Sequence, residues 1–197
     1  MRYDAERKER TRTRVLAEAA KAIRAEGPAN LGVAQVMARA GLTHGGFYAH
    51  FGSRDELVAE AITETFKDAN RLIDRAMREP SPREALAAYI TAYLSTRHRD
   101  RRETGCPLST LASDLPRLPA NARERFAEGI GQITARLRGF LDAAGVEGAE
   151  TLASSVMAEL VGAISLARIL PDSEQSATFL AHCREALLRR LGLGDLA

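Results

Sequence analysis

The segment over residues 32–51 constrains the fold more than any other, because it joins two very short helical patterns through a glycine corner. Val33 and Val36 place apolar side chains on one face of a helix of roughly two turns. Gly41 then supplies a residue that can adopt a positive φ, which a tight turn between steeply crossed helices requires. Helices this short are unstable alone in water, so neighbouring helices must hold them. The segment is therefore predicted to be a helix-turn-helix.

The second helix of this motif, over residues 44–50, is predicted to turn small or hydrogen-bonding side chains outward, with Thr43 as its cap. Phe47 and Phe51 are four residues apart and so face inward together. The pair Gly45-Gly46 costs roughly 1 kcal/mol per glycine relative to alanine in a helix. An element that must approach a partner closely can tolerate this penalty. The alternative is a strained helical hairpin with no ligand.

Helical periodicity and helix caps continue through the rest of the chain. Ser53 and Glu56 form a capping box that begins a long helix over residues 54–78. Ser81 repeats this signal for the next helix, and Asp172 is predicted to cap the last one. No run of alternating β-branched residues predicts a strand. An all-α fold of nine helices is predicted, near residues 15–26, 33–40, 44–50, 54–78, 82–96, 120–144, 148–170 and 173–191, with one short helix between turns in the segment 105–119.

The composition fits a helical protein with a core and indicates neither a membrane segment nor disulfide bonds. Apolar residues make up 45% of the chain and charged residues 27%, a balance typical of globular proteins. No apolar run approaches the roughly 20 residues that cross a bilayer, and residues 1–14 lack the apolar segment of a secretory signal. Cys106 and Cys183 are too few for a disulfide framework. We therefore expect a cytoplasmic protein with no membrane partner.

The excess of basic residues lies at the N-terminus. The net charge of +2 is too small to indicate nucleic-acid binding by itself. Residues 1–60 hold ten Lys/Arg and eight Asp/Glu, whereas the remaining 137 residues hold 18 of each. Residues 1–14 alone carry six basic and three acidic side chains. This terminus is either a basic arm that contacts phosphates or an ordinary solvated segment.

Four short motifs follow one another across the helix-turn-helix region. They are Gly41-Leu42-Thr43, Gly46-Phe47-Tyr48, His50-Phe51 and Ser53-Arg54-Asp55-Glu56-Leu57. In this order and spacing, residues 12–58 resemble the DNA-binding domain of the TetR/AcrR family of transcriptional regulators. Gly32 departs from the family pattern, which often has a phosphate-contacting threonine there. Met37 and Ile23 replace an alanine and an aromatic residue, which suggests a repacked core.

The resemblance implies an architecture and a function. It implies a nine-helix TetR-like fold in which residues 1–53 form a helix-turn-helix domain and residues 54–197 form a helical ligand-binding and dimerisation domain. The implied function is that of a transcriptional repressor, which binds a palindromic operator in double-stranded DNA as a homodimer and is released by a small-molecule effector. No cofactor is implied. The residues implied to contact DNA are Gln35, Arg39, Thr43, His44, Gly45, Tyr48, His50 and Arg54.

Small residues in the eighth predicted helix indicate a face on which a second helix can pack closely. Ser154, Ala158 and Gly162 repeat at four-residue spacing and therefore share one side of that helix. The residues predicted at a dimer interface are Ser154, Ala158, Gly162, Ser165, Leu180 and Leu187. Burial of the same residues within one subunit is the alternative.

Aromatic and aliphatic residues of the central helices are candidates for the lining of an effector cavity. Tyr89 and Tyr93 are four residues apart and offer hydroxyl groups that can orient a ligand. The predicted lining comprises Phe66, Tyr89, Tyr93, Cys106, Leu108, Leu111, Phe126, Ile130 and Ile133. An ordinary apolar core requires a stripe of the same kind.

Cys106 carries a separate hypothesis, because it follows Arg97, Arg99, Arg101 and Arg102 and is predicted near a helix N-terminus. Positive charge and a helix N-terminus both lower the pKa of a thiol and raise its reactivity. Modification of this thiol is therefore a second possible route to release from DNA. A buried and inert cysteine is the alternative.

The sequence contains no recognisable catalytic or metal-binding motif. His182 and Cys183 are adjacent and so point to different sides of a helix, which makes them a poor metal-binding pair. We therefore predict neither enzyme activity nor a metal site. The alternative from another functional class is a helical dimer that acts through protein partners without binding DNA. Salt-dependent DNA affinity distinguishes the two functions.

Overall fold

The structure is a computed structural model that describes the backbone of residues 2–196 and the side chains of residues 5–196. Within these residues the chain forms nine α-helices and no strand, so the predicted all-α class is confirmed. The helices are α1 (Arg2–Glu26), α2 (Val33–Arg39), α3 (Arg54–Ala76), α4 (Pro82–Tyr93), α5 (Thr96–Asp100), α6 (Leu108–Leu111), α7 (Ala120–Ala143), α8 (Ala149–Ala167) and α9 (Ser173–Arg190). Short 3₁₀ helices lie at Pro28–Asn30, His44–Ala49, Arg102–Thr104, Leu115–Arg117 and Gly194–Leu196.

The number of α-helices agrees with the prediction, but the members differ. His44–Ala49 is a 3₁₀ helix, whereas the polar run after α4 forms a separate short helix, α5. Ser95 causes this separation, because its hydroxyl accepts a hydrogen bond from the backbone N–H of His98 at 3.2 Å and so caps a new helix. Helix α1 begins at Arg2, so the predicted basic arm is the first half of a continuous helix.

Side-chain caps begin three helices where the sequence predicted them. The Ser53 hydroxyl accepts a hydrogen bond from the backbone N–H of Glu56 at 3.1 Å. The Glu56 carboxylate returns a bond to the chain at 2.8 Å, but it accepts from Gly52, one residue before the predicted donor. Ser81 and Asp172 accept the equivalent backbone bonds at 3.2 and 2.6 Å. The caps fix where α3, α4 and α9 start.

Helix α3 is shared between the two halves of the molecule. It packs against α1 on one side and against α4 and α7 on another. The side chains of Leu57, Ile62 and Ile73 are fully buried along its length. A displacement of α3 would therefore act on α1 as well as on α4 and α7, because closely packed helices transmit strain to one another.

Helices α3 and α7 approach closely because Gly129 has no side chain. A Cβ atom at this position would lie 2.3 Å from the ring of Phe66. That ring also packs edge-on against Phe126, with 5.3 Å between the ring centroids. The contact between α3 and α7 is thus a closely packed aromatic cluster.

Helix α8 is, within the described residues, long and apolar enough to cross a membrane if only length and composition are considered. It lies against α7 and α9, and its inner face includes the buried side chains of Ala153, Leu160 and Ile164. A core helix of a soluble protein passes the same length and composition test. Core packing therefore accounts for the apolar character of this face.

Candidate nucleic-acid interface and effector cavity

The helix-turn-helix corner has the predicted geometry. Gly41 has a φ of +69°, and the Leu42 N–H donates to the Met37 carbonyl at 2.9 Å, which closes the end of α2. An L-residue with a side chain rarely adopts this φ. The corner therefore depends on the glycine.

The recognition segment, His44–Ala49, is held from below by aromatic side chains. Phe47 and Phe51 are buried with their rings stacked, at 5.6 Å between centroids. The neighbouring Tyr48 is 72% exposed. A Cβ atom at Gly45 would meet nothing within 4 Å, so this backbone is open to a close approach. A partner could thus contact the segment directly.

Six of the eight residues implied in DNA contact are exposed, namely Gln35, Arg39, Thr43, His44, Gly45 and Tyr48. Arg39 is held in an ion pair with Glu26 at 3.1 Å. Thr43 occupies the predicted N-cap position, but its hydroxyl makes no capping hydrogen bond and its carbonyl accepts from the Gly46 N–H at 3.1 Å. The Thr43 side chain is therefore not committed to the fold.

His50 is half-buried beneath the recognition segment. Its Nδ1 is enclosed and has no hydrogen-bond partner among the described residues. Burial lowers the pKa of His50, and the nearby charges of Lys8 and Arg12 lower it further. Lys8 is thus a cation near this site that was not predicted individually. The only sequence signal for it was the basic excess of residues 1–14.

Arg54 positions the motif, and 39% of its side chain remains exposed to solvent. Its Nε donates to the Leu31 carbonyl at 3.1 Å, and one terminal nitrogen donates to the carbonyls of Pro28 and Ala29 at 2.7 and 2.8 Å. The guanidinium therefore clamps the linker between α1 and α2. These carbonyls occupy most of its donors, and the implied DNA contact of Arg54 stays a prediction for the exposed part of the guanidinium.

A cavity of about 710 Å³ lies between α3 and α4 and is bordered by the chain from Ser95 to Cys106. Three of the predicted lining residues contribute to its wall: Tyr89, Tyr93 and Cys106. The volume falls within the range of small-molecule sites. We call this space the α3–α4 cavity.

The other predicted lining residues do not join this wall. Leu108 lines a different cavity, of about 790 Å³, beside the end of α8. Ile130 is 36% exposed on the outer side of α7, so its prediction as a cavity residue is wrong. The remaining four are buried core residues, Phe66, Leu111, Phe126 and Ile133. Helical spacing alone could not separate a cavity wall from the core, because both place apolar side chains inward.

The predicted lowering of the Cys106 pKa is wrong. The residue is 4% exposed, and its burial raises the pKa of the thiol. The arginine charges cannot compensate, since Arg97, Arg101 and Arg102 are exposed to solvent, where water screens them.

His98 fixes the chain around Cys106. Its Nε2 accepts a hydrogen bond from the Cys106 backbone N–H at 3.0 Å. Its Nδ1 lies 2.7 Å from the Tyr93 carbonyl, so that nitrogen carries the proton. Burial lowers the pKa of His98 to about 4, and the ring is neutral at physiological pH.

Family comparisons agree with this arrangement over most of the chain. The profile of bacterial regulatory proteins of the tetR family matches residues 15–61. The profile of the tetracyclin repressor-like C-terminal domain matches residues 82–183. The chain belongs to the TetR family. Its helix-turn-helix is therefore the DNA-binding domain of a transcriptional regulator.

Solved structures of other TetR-family proteins have the same fold. A regulator from Chloroflexus aurantiacus is 25% identical, with a TM-score of 0.78 over 95% of this chain and 96% of that one. A regulator from Agrobacterium tumefaciens is 22% identical, with a TM-score of 0.77 over 93% and 98%. The reduced form of NemR from E. coli is 20% identical, with a TM-score of 0.72 over 88% and 95%. No curated protein matches the chain.

The candidate dimer face of this TetR-family chain lies mainly on α8. Ser154 and Ala158 are exposed, and Gly162 and Ser165 are half-buried. A Cβ atom at Gly162 would meet nothing within 4 Å in the monomer. The small-residue side of α8 is thus free of intramolecular cover.

The prediction of Leu180 and Leu187 as interface residues is corrected. Both are buried in the core of the monomer and offer no surface to a partner. Two apolar side chains that were not predicted are exposed: Leu166, near the end of α8, is 55% exposed, and Ile169, in the turn after α8, is 75% exposed. The four-residue repeat that includes Gly162 continues to Leu166, so the sequence did contain a signal for the first of them.

Proposed function

We propose that this TetR-family regulator is a ligand-responsive repressor that binds a palindromic operator as a homodimer. The observation that supports this proposal best is the recognition segment, which exposes Tyr48 while Phe47 and Phe51 anchor it. A segment that serves only the core has no reason to expose a tyrosine between two buried phenylalanines. Operator DNA also implies a cytoplasmic protein with no membrane partner.

The DNA contacts divide into phosphate and base contacts. Tyr48, His50 and Lys8 are the proposed phosphate-binding residues, because each can donate a hydrogen bond to a phosphate oxygen. Thr43 and His44 are the proposed base-reading residues, at the end of a recognition element that normally enters the major groove.

Three further residues complete the proposed interface. The exposed backbone at Gly45 allows a close approach to the duplex. Gln35 is proposed to contact the DNA from α2. Arg39 is proposed to leave its ion pair with Glu26 and to bind a phosphate instead. Arg54 acts as a positioning residue, through the carbonyls that it holds. Residues 1–53 form the proposed DNA-binding domain and residues 54–197 the proposed regulatory domain.

The homodimer is proposed to form across the exposed face of α8. Exposed apolar side chains at Leu166 and Ile169 extend the small-residue stripe, and burying them provides a driving force for association. On α9, Phe179 and Cys183 are half-buried on one side of the helix. Phe179 and Cys183 are proposed to contribute to the interface in place of the buried residues Leu180 and Leu187.

Release from DNA is proposed to follow the binding of a small molecule in the α3–α4 cavity. The cavity touches α3, which also packs against α1. A ligand can shift the DNA-binding equilibrium only by its different affinity for the two states. Release by thiol modification fits less well, because Cys106 is buried and its pKa is raised.

The test is fluorescence anisotropy of the purified protein with a labelled fragment of its own promoter at several salt concentrations. The repressor should lose affinity steeply between about 50 and 200 mM salt, because phosphate contacts release counterions. Lys8→Gln should reduce the slope of log K against log salt by about one. Lys67→Gln, a matched exposed lysine on α3, should leave the slope unchanged.

Tyr48→Phe should weaken binding by about tenfold, the value of one hydrogen bond to a charged phosphate. Binding that is absent at low salt would contradict the repressor proposal and favour a dimer that acts through protein partners.

A further inference from the structure

The α3–α4 cavity is rich in arginine and poor in acids. Arg71 and Arg75 line it from α3, while Arg97 and Arg101 line it from the chain beyond α4. Asp68 is the acidic residue in its wall. The wall therefore carries four guanidinium groups and one carboxylate.

Three of these cations are uncommitted. Arg75, Arg97 and Arg101 have neither an ion pair nor a side-chain hydrogen bond in the part of the chain that the structure describes. By contrast, Arg136 on the other side of α3 holds both Asn70 and Asp74. These three arginines are exposed at the edge of the cavity and lack acidic partners, so they are able to receive an anion.

The floor of the cavity is apolar and aromatic. Leu72, Ala88 and Ala92 contribute aliphatic surface, and Tyr89 and Tyr93 contribute rings whose centroids lie 6.0 Å apart. The Tyr93 hydroxyl is enclosed beside the Cys106 thiol and is not accessible from the cavity, so the floor offers a ligand the tyrosine rings and not this hydroxyl.

We propose that the effector is an organic carboxylate with a small aromatic or acyl body, bound in the α3–α4 cavity. Its carboxylate is received by Arg75, Arg97 and Arg101, because a guanidinium presents a planar pair of donors that match two carboxylate oxygens. Its apolar body lies on Tyr89 and Tyr93. This inference rests on the proposed function, since it takes the cavity to be the place where an effector acts.

The same cavity reaches the DNA-binding half through one carboxylate. Asp68 accepts a hydrogen bond from Arg24 of α1 at 2.7 Å and forms a second ion pair with Arg71 at the cavity wall. Arg24 is 1% exposed, and it also donates to the Thr65 carbonyl at 3.1 Å. Asp68 is therefore shared between the helix-turn-helix half and the cavity.

An anion in the cavity changes the balance around Asp68. It draws Arg71 towards itself and repels the Asp68 carboxylate, which weakens the pair between Asp68 and Arg24. Arg24 keeps its hydrogen bond to the Thr65 carbonyl, but one of the polar contacts that fix α1 on α3 is weakened. This supplies the different affinity for the two states that release from DNA requires.

The test is isothermal titration calorimetry of the full chain, at constant ionic strength, with four probes. Benzoate and hexanoate are the anions, and benzamide and hexanamide are their neutral isosteres. The carboxylates should bind at least tenfold more tightly than their amides. The Arg75→Gln/Arg97→Gln double variant should lose at least tenfold in carboxylate affinity, whereas Arg123→Gln, an exposed arginine on α7, should not change it.

Tyr93→Phe is the second variant, because it removes a hydroxyl that is not accessible from the cavity and keeps the aromatic ring. It should bind carboxylates as tightly as the wild type, since the proposed contact is with the ring and the arginines. Carboxylates that bind no better than amides, or that weaken equally in Arg123→Gln, would overturn the proposal.

Promoter anisotropy separates this inference from the proposed function. DNA binding without selective carboxylate binding would refute the anion site and leave the repressor. Carboxylate binding without DNA binding would do the reverse. Binding of both, with a lower operator affinity when benzoate or hexanoate is present, is the expected result.

Discussion

The wall of the α3–α4 cavity depends on whether the His98 ring is neutral or protonated. The neutral ring bridges the Tyr93 carbonyl and the Cys106 backbone N–H. Protonation would turn Nε2 from an acceptor into a donor and break the second bond. Burial disfavours the charged form of the ring and lowers the pKa of His98 to about 4, so the bridge is intact at neutral pH.

This depressed pKa predicts a pH-dependent contribution to stability. The contribution is fully present above the pKa of an unfolded histidine, about 6.5. It is lost as the pH falls from there through about 4, because the unfolded chain binds the proton more readily. The free energy of unfolding should therefore exceed that of His98→Asn most at pH 7, and the difference should shrink towards pH 4.

Urea unfolding of both proteins at pH 7, 5.5 and 4 measures the difference, with a slope of at most about 1.4 kcal/mol per pH unit. Carboxylates titrate in the same range, but they do so in both proteins and cancel in the comparison. A difference that stays constant with pH would refute this account of His98.

The conformation and exposure of single residues were predicted well where they depend on local chain geometry. The pKa of a side chain was predicted less well, because it depends on residues that are distant in the sequence. The positive φ of Gly41 and the exposure of Tyr48 follow from chain geometry and helical phase. The raised pKa of Cys106 does not, because it depends on helices that close over the thiol from distant parts of the sequence. Of the arginines that suggested a reactive cysteine, Arg97 and Arg101 lie in the wall of the α3–α4 cavity and are exposed to solvent.

Gly129 makes a prediction at the scale of a helix pair. Gly129→Ala should destabilise the protein by about 1 kcal/mol or more, because crowding of the Phe66 ring costs typically 1–3 kcal/mol and exceeds the gain in helix propensity. Gly131 lies two residues further along the same helix, and a Cβ atom there meets nothing within 4 Å. Gly131→Ala should therefore stabilise α7 by up to about 1 kcal/mol.

Thermal unfolding of the two alanine variants measures both signs in one experiment. Equal midpoints would show that α3 and α7 are not closely packed at Gly129.

The sequence predicted where the helices begin better than it predicted which surfaces pack against one another. Capping boxes placed the starts of α3 and α4, because a cap is a local hydrogen bond. Helical periodicity showed that Leu180 and Leu187 face inward, but it could not tell whether the inside belongs to one subunit or to two. The 3₁₀ form of the recognition segment was missed, since Phe47 and Phe51 anchor it by tertiary packing that overrides local pattern.

At the scale of the whole molecule, the proposed dimer depends on the open face of α8. Gly162→Glu should leave the monomer folded, because the new side chain meets open space there, and it should block close packing of a second helix. Gly131→Glu is the matched control on α7. Light scattering after size exclusion should show a monomer for the first variant and a dimer for the second. A dimer in both would move the interface elsewhere.

A dimeric operator-binding repressor places its two recognition segments on the DNA at two separate positions. Hydroxyl-radical footprinting of the promoter should show two protected patches on one face of the duplex, with centres about one helical turn or a whole number of turns apart. Gly162→Glu should abolish both patches together at concentrations where Gly131→Glu retains them. A single patch, or protection that survives Gly162→Glu unchanged, would contradict a dimeric operator-binding repressor.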